Sequence, residues 1–342
     1  MSEKAPLISV TIASYNYEKY IPKMLDSVAA QTFRDFELVI TDDGSTDNAV
    51  GVIESFIEAH PEMEIRLYKN SHLGLCGNRN SALMHARGRY IMFCDADDFL
   101  EPDCLELLAE KALLSDPDRV VSYVRDVDRS GKELQIEEQW GSIKSRWMVN
   151  LHHGSLYKRS LFMDHNIRFV EAAGGDDFMI STIYNSYAKT AEFVEKPLYN
   201  WVVHEDSASG AKKEITSYTG LNMITCIVEP MKEVKERLAG RAEDYALFVY
   251  QMIRYYYFCI FHCYRYVKVR ETFADYDKMR ACIREIEPKY LKNPWITLKE
   301  PSPARLYAKR IIFFSALLEK LHLMKPALLF YHILSGFPYF NT

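Results

Sequence analysis

Three carboxylates, Asp95, Asp97 and Asp98, follow directly on the apolar run Tyr90-Ile91-Met92-Phe93-Cys94. A buried strand that ends this way delivers its acids together to the carboxyl edge of a sheet, where they repel one another unless a cation lies between them. Oxygen ligands on a short turn suit a hard divalent ion such as Mg²⁺ or Mn²⁺, and such ions commonly hold phosphates as well. The competing reading is a helix start, with Asp97 or Asp98 as the cap and Pro102 in the first turn. Capping needs one carboxylate, which leaves the others unexplained.

Four further groups carry chemistry. Asp42-Asp43-Gly44-Ser45 is either a turn, with Gly44 supplying backbone freedom and Ser45, Thr46 or Asp47 capping a helix, or a place where Asp43 accepts the imide N–H of a nucleobase stacked on Tyr15. Gly74-Leu75-Cys76-Gly77-Asn78-Arg79-Asn80 is either a plain loop entering a helix or a close backbone approach that lets Arg79 reach a base or phosphate. In Gly174-Gly175-Asp176-Asp177-Phe178 a helix start explains one acid, and the other is a candidate general base. His204 closes the run Tyr199 to Val203 before a Ser-rich stretch, as a structural histidine or as a metal ligand.

These residues need a frame. Residues 7–13, 36–40, 64–68 and 89–94 read as strands, and 18–30, 49–59 and a loop-to-helix segment over 74–86 alternate with them. That spacing implies an α/β fold, a mostly parallel sheet with helices on both faces, whose ligands gather at the carboxyl ends of the strands. The loops at 14–17, 42–47 and 95–98 all fall on that edge. From Leu221 the texture changes to long helical segments rich in Tyr, Phe and Arg, which divides the chain into 5–212 and 213–342. In the second part Tyr255 to Phe258 and Ile311 to Phe314 sit near Arg254, Arg265, Lys309 and Arg310. Such residues pack a helical region against the first domain or a second copy, or dock it on a membrane.

The net charge of −5 gives nucleic acid no support as a partner. Seven cysteines without a Cys-x-x-Cys pair imply reduced thiols in a cytoplasmic protein. No leader and no apolar run of about 18 residues stand out, so peripheral association at the inner membrane face is the expected limit of membrane contact.

Taken in order, Val10-Thr11-Ile12-Ala13-Ser14-Tyr15-Asn16, Gln31-Thr32-Phe33, Phe36 to Ile40, Asp42 to Asp47, Asn70, Gly74, Asn78-Arg79-Asn80, Gly88 to Ile91 and Asp95-Ala96-Asp97-Asp98 resemble the inverting GT-A glycosyltransferases of family 2. The resemblance covers residues 5 to 210. It implies that Asp43, beside Ala13 and Tyr15, binds the base of a nucleotide-sugar donor, UDP-linked by expectation, with Arg79 and Ala96 also lining the donor. It places Asp95 on the ribose, Asp97 on a Mn²⁺ or Mg²⁺ that bridges the diphosphate, and His204 in the same metal shell. Asp177 matches the base of the family's Glu-Asp pair. Asp176, shorter than the usual Glu, takes an acceptor contact. The acceptor expected is a glycan or lipid-linked glycan hydroxyl. Other classes are a non-catalytic sugar-nucleotide or glycan-binding relative, which the intact acids oppose, and a nucleotidyltransferase, whose Gly-rich basic loop is missing after the first strand.

Overall fold

The structure is a computed structural model that describes residues 5–137, 140–149, 152–171, 175–204, 217–263 and 269–335. The expected junction at 212/213 lies outside the described residues.

The chain forms two compact units, the first built from residues 1–139, 151–170 and 187–211. Its centre is β1 (Ile8–Ser14), buried along its whole length. It pairs in parallel with β2 (Phe36–Asp42) on one side and β4 (Tyr90–Asp95) on the other, and β3 (Ile65–Lys69) extends the parallel set beyond β2. Side chains alternate across a strand. Ile8, Val10 and Ile12 therefore join Tyr90, Met92 and Cys94 in one core, together with Ile21, Leu25 and Val28 of α1 (Ile21–Ala29), Ile53 of α2 (Ala49–Ala59) and Leu105 and Leu108 of α4 (Cys104–Ser115). The odd residues of β1 and β4 turn to the opposite face, towards α3 (Gly74–His85). This helix starts at Gly74 itself, with no loop in 74–80.

The rest of the sheet is mixed. The short β5 (Phe99–Leu100), β6 (Arg119–Val127), β7 (Glu133–Glu137), β8 (Ser155–Lys158) and β9 (Ala191–Val202) complete the order β3-β2-β1-β4-β8-β6-β9-β5, with β7 on the side of β6. Between β4 and β6, β8 runs antiparallel to both, while β6 and β9 are parallel. The helix-start reading of the acids is overturned here. The strand β5 lies between Asp98 and α4, whose N-cap is Asp103, so neither Asp97 nor Asp98 caps it.

A buried carboxylate ties the far end of the parallel strands. Glu37 accepts from Ser9 Oγ at 2.5 Å, from the Arg87 N–H at 2.6 Å and from Arg66 at 2.5 Å. Burial would raise its pKa, but these hydrogen bonds and the two guanidinium charges leave it lowered. Gly88 passes so close that its N–H donates to Ser9 Oγ at 2.8 Å.

The second unit, residues 140–150, 171–186 and 212–342, is helical. Two of its pieces thus fall inside the first sequence span. It contains α6 (Asp176–Tyr187, through Ser186), α7 (Ser217–Thr225), α8 (Val228–Arg237), α9 (Ala242–Phe258), α10 (Val269–Ile286), α11 (Leu306–Lys320) and α12 (Met324–Ser335), the short α5 (Arg159–Asp164) belonging to the first unit. Arg146 and the Trp147 indole N–H both reach Asp244 of α9, at 2.7 and 2.8 Å, and Phe178 of α6 stacks on Tyr255 at 4.0 Å. Cys76, Cys94, Cys104, Cys226, Cys259 and Cys282 are free thiols.

A Cβ on residue 88 would stand 2.5 Å from the Ser9 amide nitrogen and 2.8 Å from the Ile8 carbonyl carbon. Both are backbone atoms in the central strand. Gly88→Ala is therefore expected to cost about 1–3 kcal/mol, seen as a lower urea midpoint at unchanged slope.

Candidate active site

Strand register builds the site edge. Ser14 lies opposite Asp42, and Ala13 lies opposite Asp95, so three loops leave the sheet side by side, at strand spacings of about 4.8 Å. The first two loops are stitched together. The Asn16 N–H donates to Ser45 Oγ at 2.9 Å, and Asn16 Oδ1 accepts from the Thr46 N–H at 2.8 Å. The Glu18 N–H donates to Asp47 at 2.9 Å, and the Asn48 N–H to Glu18 at 3.2 Å.

Asp42 holds the turn, accepting the N–H groups of Gly44 and Ser45 and the Ser45 hydroxyl. Asp43 is thereby left to face α3. Its two oxygens accept the N–H groups of Leu73 at 2.6 Å and Gly74 at 2.9 Å, placing a carboxylate at the positive end of the helix. It is 2% exposed, and each oxygen keeps acceptor capacity for a second donor. Above it the Tyr15 ring, 39% exposed, lies 5.0 Å from the His72 ring, whose Nδ1 is 3.6 Å from Asp43. His72 was not among the residues read from sequence.

In the Asn78-Arg79-Asn80 motif the two asparagines hold backbone and Arg79 holds a carboxylate. Asn78 donates to the carbonyls of Ser14 and Thr41, closing the ends of β1 and β2. Asn80 clasps the Phe169 backbone, donating to its carbonyl and accepting its N–H, both at 2.8 Å. Arg79, expected towards a base or phosphate, is buried and donates to Asp95 Oδ1 at 2.7 Å, with its guanidinium 5.4 Å from the Phe169 ring.

The three acids meet three environments. Asp95 shares a face of β4 with Phe93, and beyond Arg79 it meets His153 Nε2 at 2.9 Å and His152 Nε2 at 3.9 Å. Burial pushes its pKa up, but Arg79 and His153 outweigh burial and hold it well below the usual range. Asp97 meets His204 Nε2 at 2.9 Å, while burial and the charge of Asp95 raise its pKa. Asp98 is fully buried, accepting the Tyr199 hydroxyl at 2.6 Å and the Val202 N–H at 2.9 Å. Burial drives its carboxyl well above the usual range; His153 opposes this, and the charges of Asp95 and Asp97 add to it. Tyr17 is held protonated by burial and by the same acids, and Tyr20 stacks on His204 at 4.7 Å.

Two acid–imidazole groups could hold a metal. Asp95, His152 and His153 bring their ligand atoms within 4.8 Å of one another, but Arg79 already neutralises that carboxylate. Asp97 and His204 fit better. Their 2.9 Å separation is also about the edge of an octahedron with bonds of roughly 2.1 Å. A mixed oxygen and nitrogen pair favours Mn²⁺ over the oxygen-demanding Mg²⁺.

The first unit thus gathers Ala13, Tyr15, Asp43, Arg79, Asp95, Ala96, Asp97 and His204 on one sheet edge, with Ala13 and Ala96 as buried small residues. Asp176 and Asp177 stand in the first turn of α6, half-buried, in the second unit. His152, His153 and Tyr199 escaped the sequence reading. The available signal was the His-His pair ahead of Gly154, whose φ is +62° and whose added Cβ would meet Ser122 Oγ at 3.0 Å.

Residues 9–166 match the family model described as Glycosyl transferase family 2. Over these residues the chain is similar to glycosyltransferase family 2. An alignment of 227 residues is 30% identical to chondroitin synthase of Escherichia coli, covering 62% of this chain and 31% of that protein. Among solved structures, Staphylococcus aureus TarS 1–349 in complex with UDP-GlcNAc superposes with a TM-score of 0.72 at 18% identity, over 95% of this chain and 91% of that one. The mannosyltransferase PcManGT of Pyrobaculum calidifontis, in complex with GDP-Man and Mn²⁺, gives 0.51 at 14% identity, over 97% and 88%. The fold is GT-A.

Since Asp43 terminates α3, Asp43→Ala is expected to lower stability by about 1–2 kcal/mol, the usual worth of an N-terminal cap. Asp43→Asn, which keeps one acceptor, should lose less. Chemical denaturation of both variants checks the order.

Proposed function

We propose that this chain transfers a sugar, with inversion, from a UDP-linked donor to a hydroxyl of a glycan or lipid-linked glycan. The observation that carries the reading is the Asp97–His204 pair, at the ends of β4 and β9, beside an Asp95 that Arg79 and His153 hold as an anion. The UDP-GlcNAc held by the TarS fragment supports a uridine donor.

In this reading the base lies against Tyr15 and His72 while Asp43 accepts its N–H. Asp95, acceptor-only when ionised, takes the ribose hydroxyls. Asp97 and His204 would hold Mn²⁺ or Mg²⁺, which when bound would supply positive charge to the departing diphosphate. Arg79 acts through Asp95 and orients it. Asp177 carries the role of base by its match to the family's acidic pair. It takes the proton from the attacking hydroxyl as the new glycosidic bond forms and the bond from the anomeric carbon to the diphosphate breaks. Attack opposite the leaving group inverts that carbon. Asp176 is assigned to the acceptor.

A thermal-shift panel of UDP, CDP and GDP, with and without Mn²⁺, tests the donor half. Near a hundred times its Kd, UDP with Mn²⁺ should stabilise the protein by roughly 2.7 kcal/mol, and Asp97→Ala should abolish that shift. An equal shift in Asp97→Ala removes Asp97 from the metal, and a shift confined to GDP replaces UDP as donor.

Asp177→Asn should keep the nucleotide shift and lose transfer from UDP-sugars by about 10²–10⁴-fold, the range of a general base. Transfer at the wild-type rate would remove the base assignment.

A further inference from the structure

The helix α11 is inside out. Its buried face carries Lys309, Ser315 and Glu319 beside Ile312 and Ala316. Its outer stripe, at spacings of three and four, is Tyr307, Arg310, Phe314, Leu317 and Leu321, with Tyr307 78% and Phe314 52% exposed. The buried polar groups explain the orientation. Glu319, 1% exposed, accepts from Arg280 at 2.8 Å, from the Tyr257 hydroxyl at 3.0 Å and from the Tyr290 hydroxyl, and Lys309 pairs with Glu300. Turning the helix to hide its apolar stripe would take Glu319 from Arg280 and leave the buried Tyr257 and Tyr290 hydroxyls without their acceptor, which costs more than exposing a few leucines. The apolar face therefore stays outward. It continues through Leu321 and Leu323 in the turn and onto Leu329 and Phe330 of α12, the last 62% exposed.

Its charge selects the occupant. The chain as a whole carries −5, yet residues 301–342 hold five lysines and arginines and a single acid, the buried Glu319. Arg305, Arg310 and Lys320 are exposed around the apolar side chains. Two copies pairing through this face about a two-fold axis would set like charges against each other. An anionic lipid surface matches both features, with headgroups for the basic residues and the upper acyl region for Phe, Tyr and Leu. Among the described residues no helix is long and apolar enough to cross a membrane, so contact here is with the surface.

We propose that the outward face of α11 and α12 docks the protein on a bilayer rich in anionic phospholipid. The proposal goes beyond the transfer reaction and stands whether or not UDP is the donor. The test is flotation of the full chain with vesicles of phosphatidylcholine alone or with a third phosphatidylglycerol. Binding to the anionic vesicles should exceed that to the neutral ones at least tenfold and fall steeply in 0.5 M salt (roughly a 4 Å screening length). The paired changes Tyr307→Ser with Phe314→Ser, and Arg310→Glu with Lys320→Glu, should each reduce it about tenfold or more. All four positions are exposed, and unchanged melting confirms the fold. Leu113→Ser with Leu114→Ser, exposed leucines of α4, should bind as wild type. Absence of wild-type binding, or equal binding by all variants, would overturn the proposal. So would a wild-type dimer that Phe314→Ser converts to monomer, since the face would then belong to a second copy.

Discussion

Like charges crowded at the end of a strand are the constraint on which the rest of this structure depends. Asp95, Asp97 and Asp98 occupy three of four consecutive positions, and the surrounding fold separates their electrostatics. Asp95 receives a permanent cation from α3 and an imidazole from the segment before β8. Asp97 meets His204 beyond the end of β9, while burial and the charge of Asp95 raise its pKa. Asp98 is taken into the interior, where Tyr199 and a backbone amide satisfy it. The three solutions draw on α3, β8 and β9. The mixed half of the sheet thus helps to give each acid of the cluster its own partners.

Much of this edge was legible in the sequence. Short apolar runs marked β1, β2 and β4, and polar loops at their ends marked the site. The family resemblance carried the order of motifs. What stayed hidden has physical causes. Arg79 could be recognised as a functional type, but nothing in a sequence says whether a guanidinium points at a ligand or at a carboxylate sixteen residues on. Tyr199 and His153 act on the acids from over fifty residues away, and their types are as common in cores as in sites. The helix-start reading of Asp97 failed because a two-residue strand, β5, is too short to leave a periodic signal. Residues 140–150 and 171–186 share their texture with their neighbours, and packing alone assigns them to the helical unit.

The helical unit resolves a different conflict. Tyr and Phe in its segments read from sequence as either packing or surface. Both readings hold, on different residues. Tyr255, Tyr256 and Tyr257 are buried, the last donating to Glu319, while Phe314 and Tyr307 face outward. A buried carboxylate with three donors is costly to assemble, but it specifies which way a helix faces. Hydrophobicity alone would have chosen the opposite rotation.

The reciprocal bonds between the loops after β1 and β2 carry a consequence of their own. Ser45 Oγ accepts the Asn16 N–H while Asn16 Oδ1 accepts the Thr46 N–H, and Asp47 accepts the Glu18 N–H while Glu18 accepts the Asn48 N–H across the same gap. Neither loop has an independent resting shape, so the pair is one rigid jaw rather than two flexible lips. The ordering entropy that a ligand would otherwise exact has already been spent in folding. Evolution is bound by the same stitching: drift at residue 16 would be tolerated only with matching drift near residue 45, so the two loops should vary as a single inherited unit.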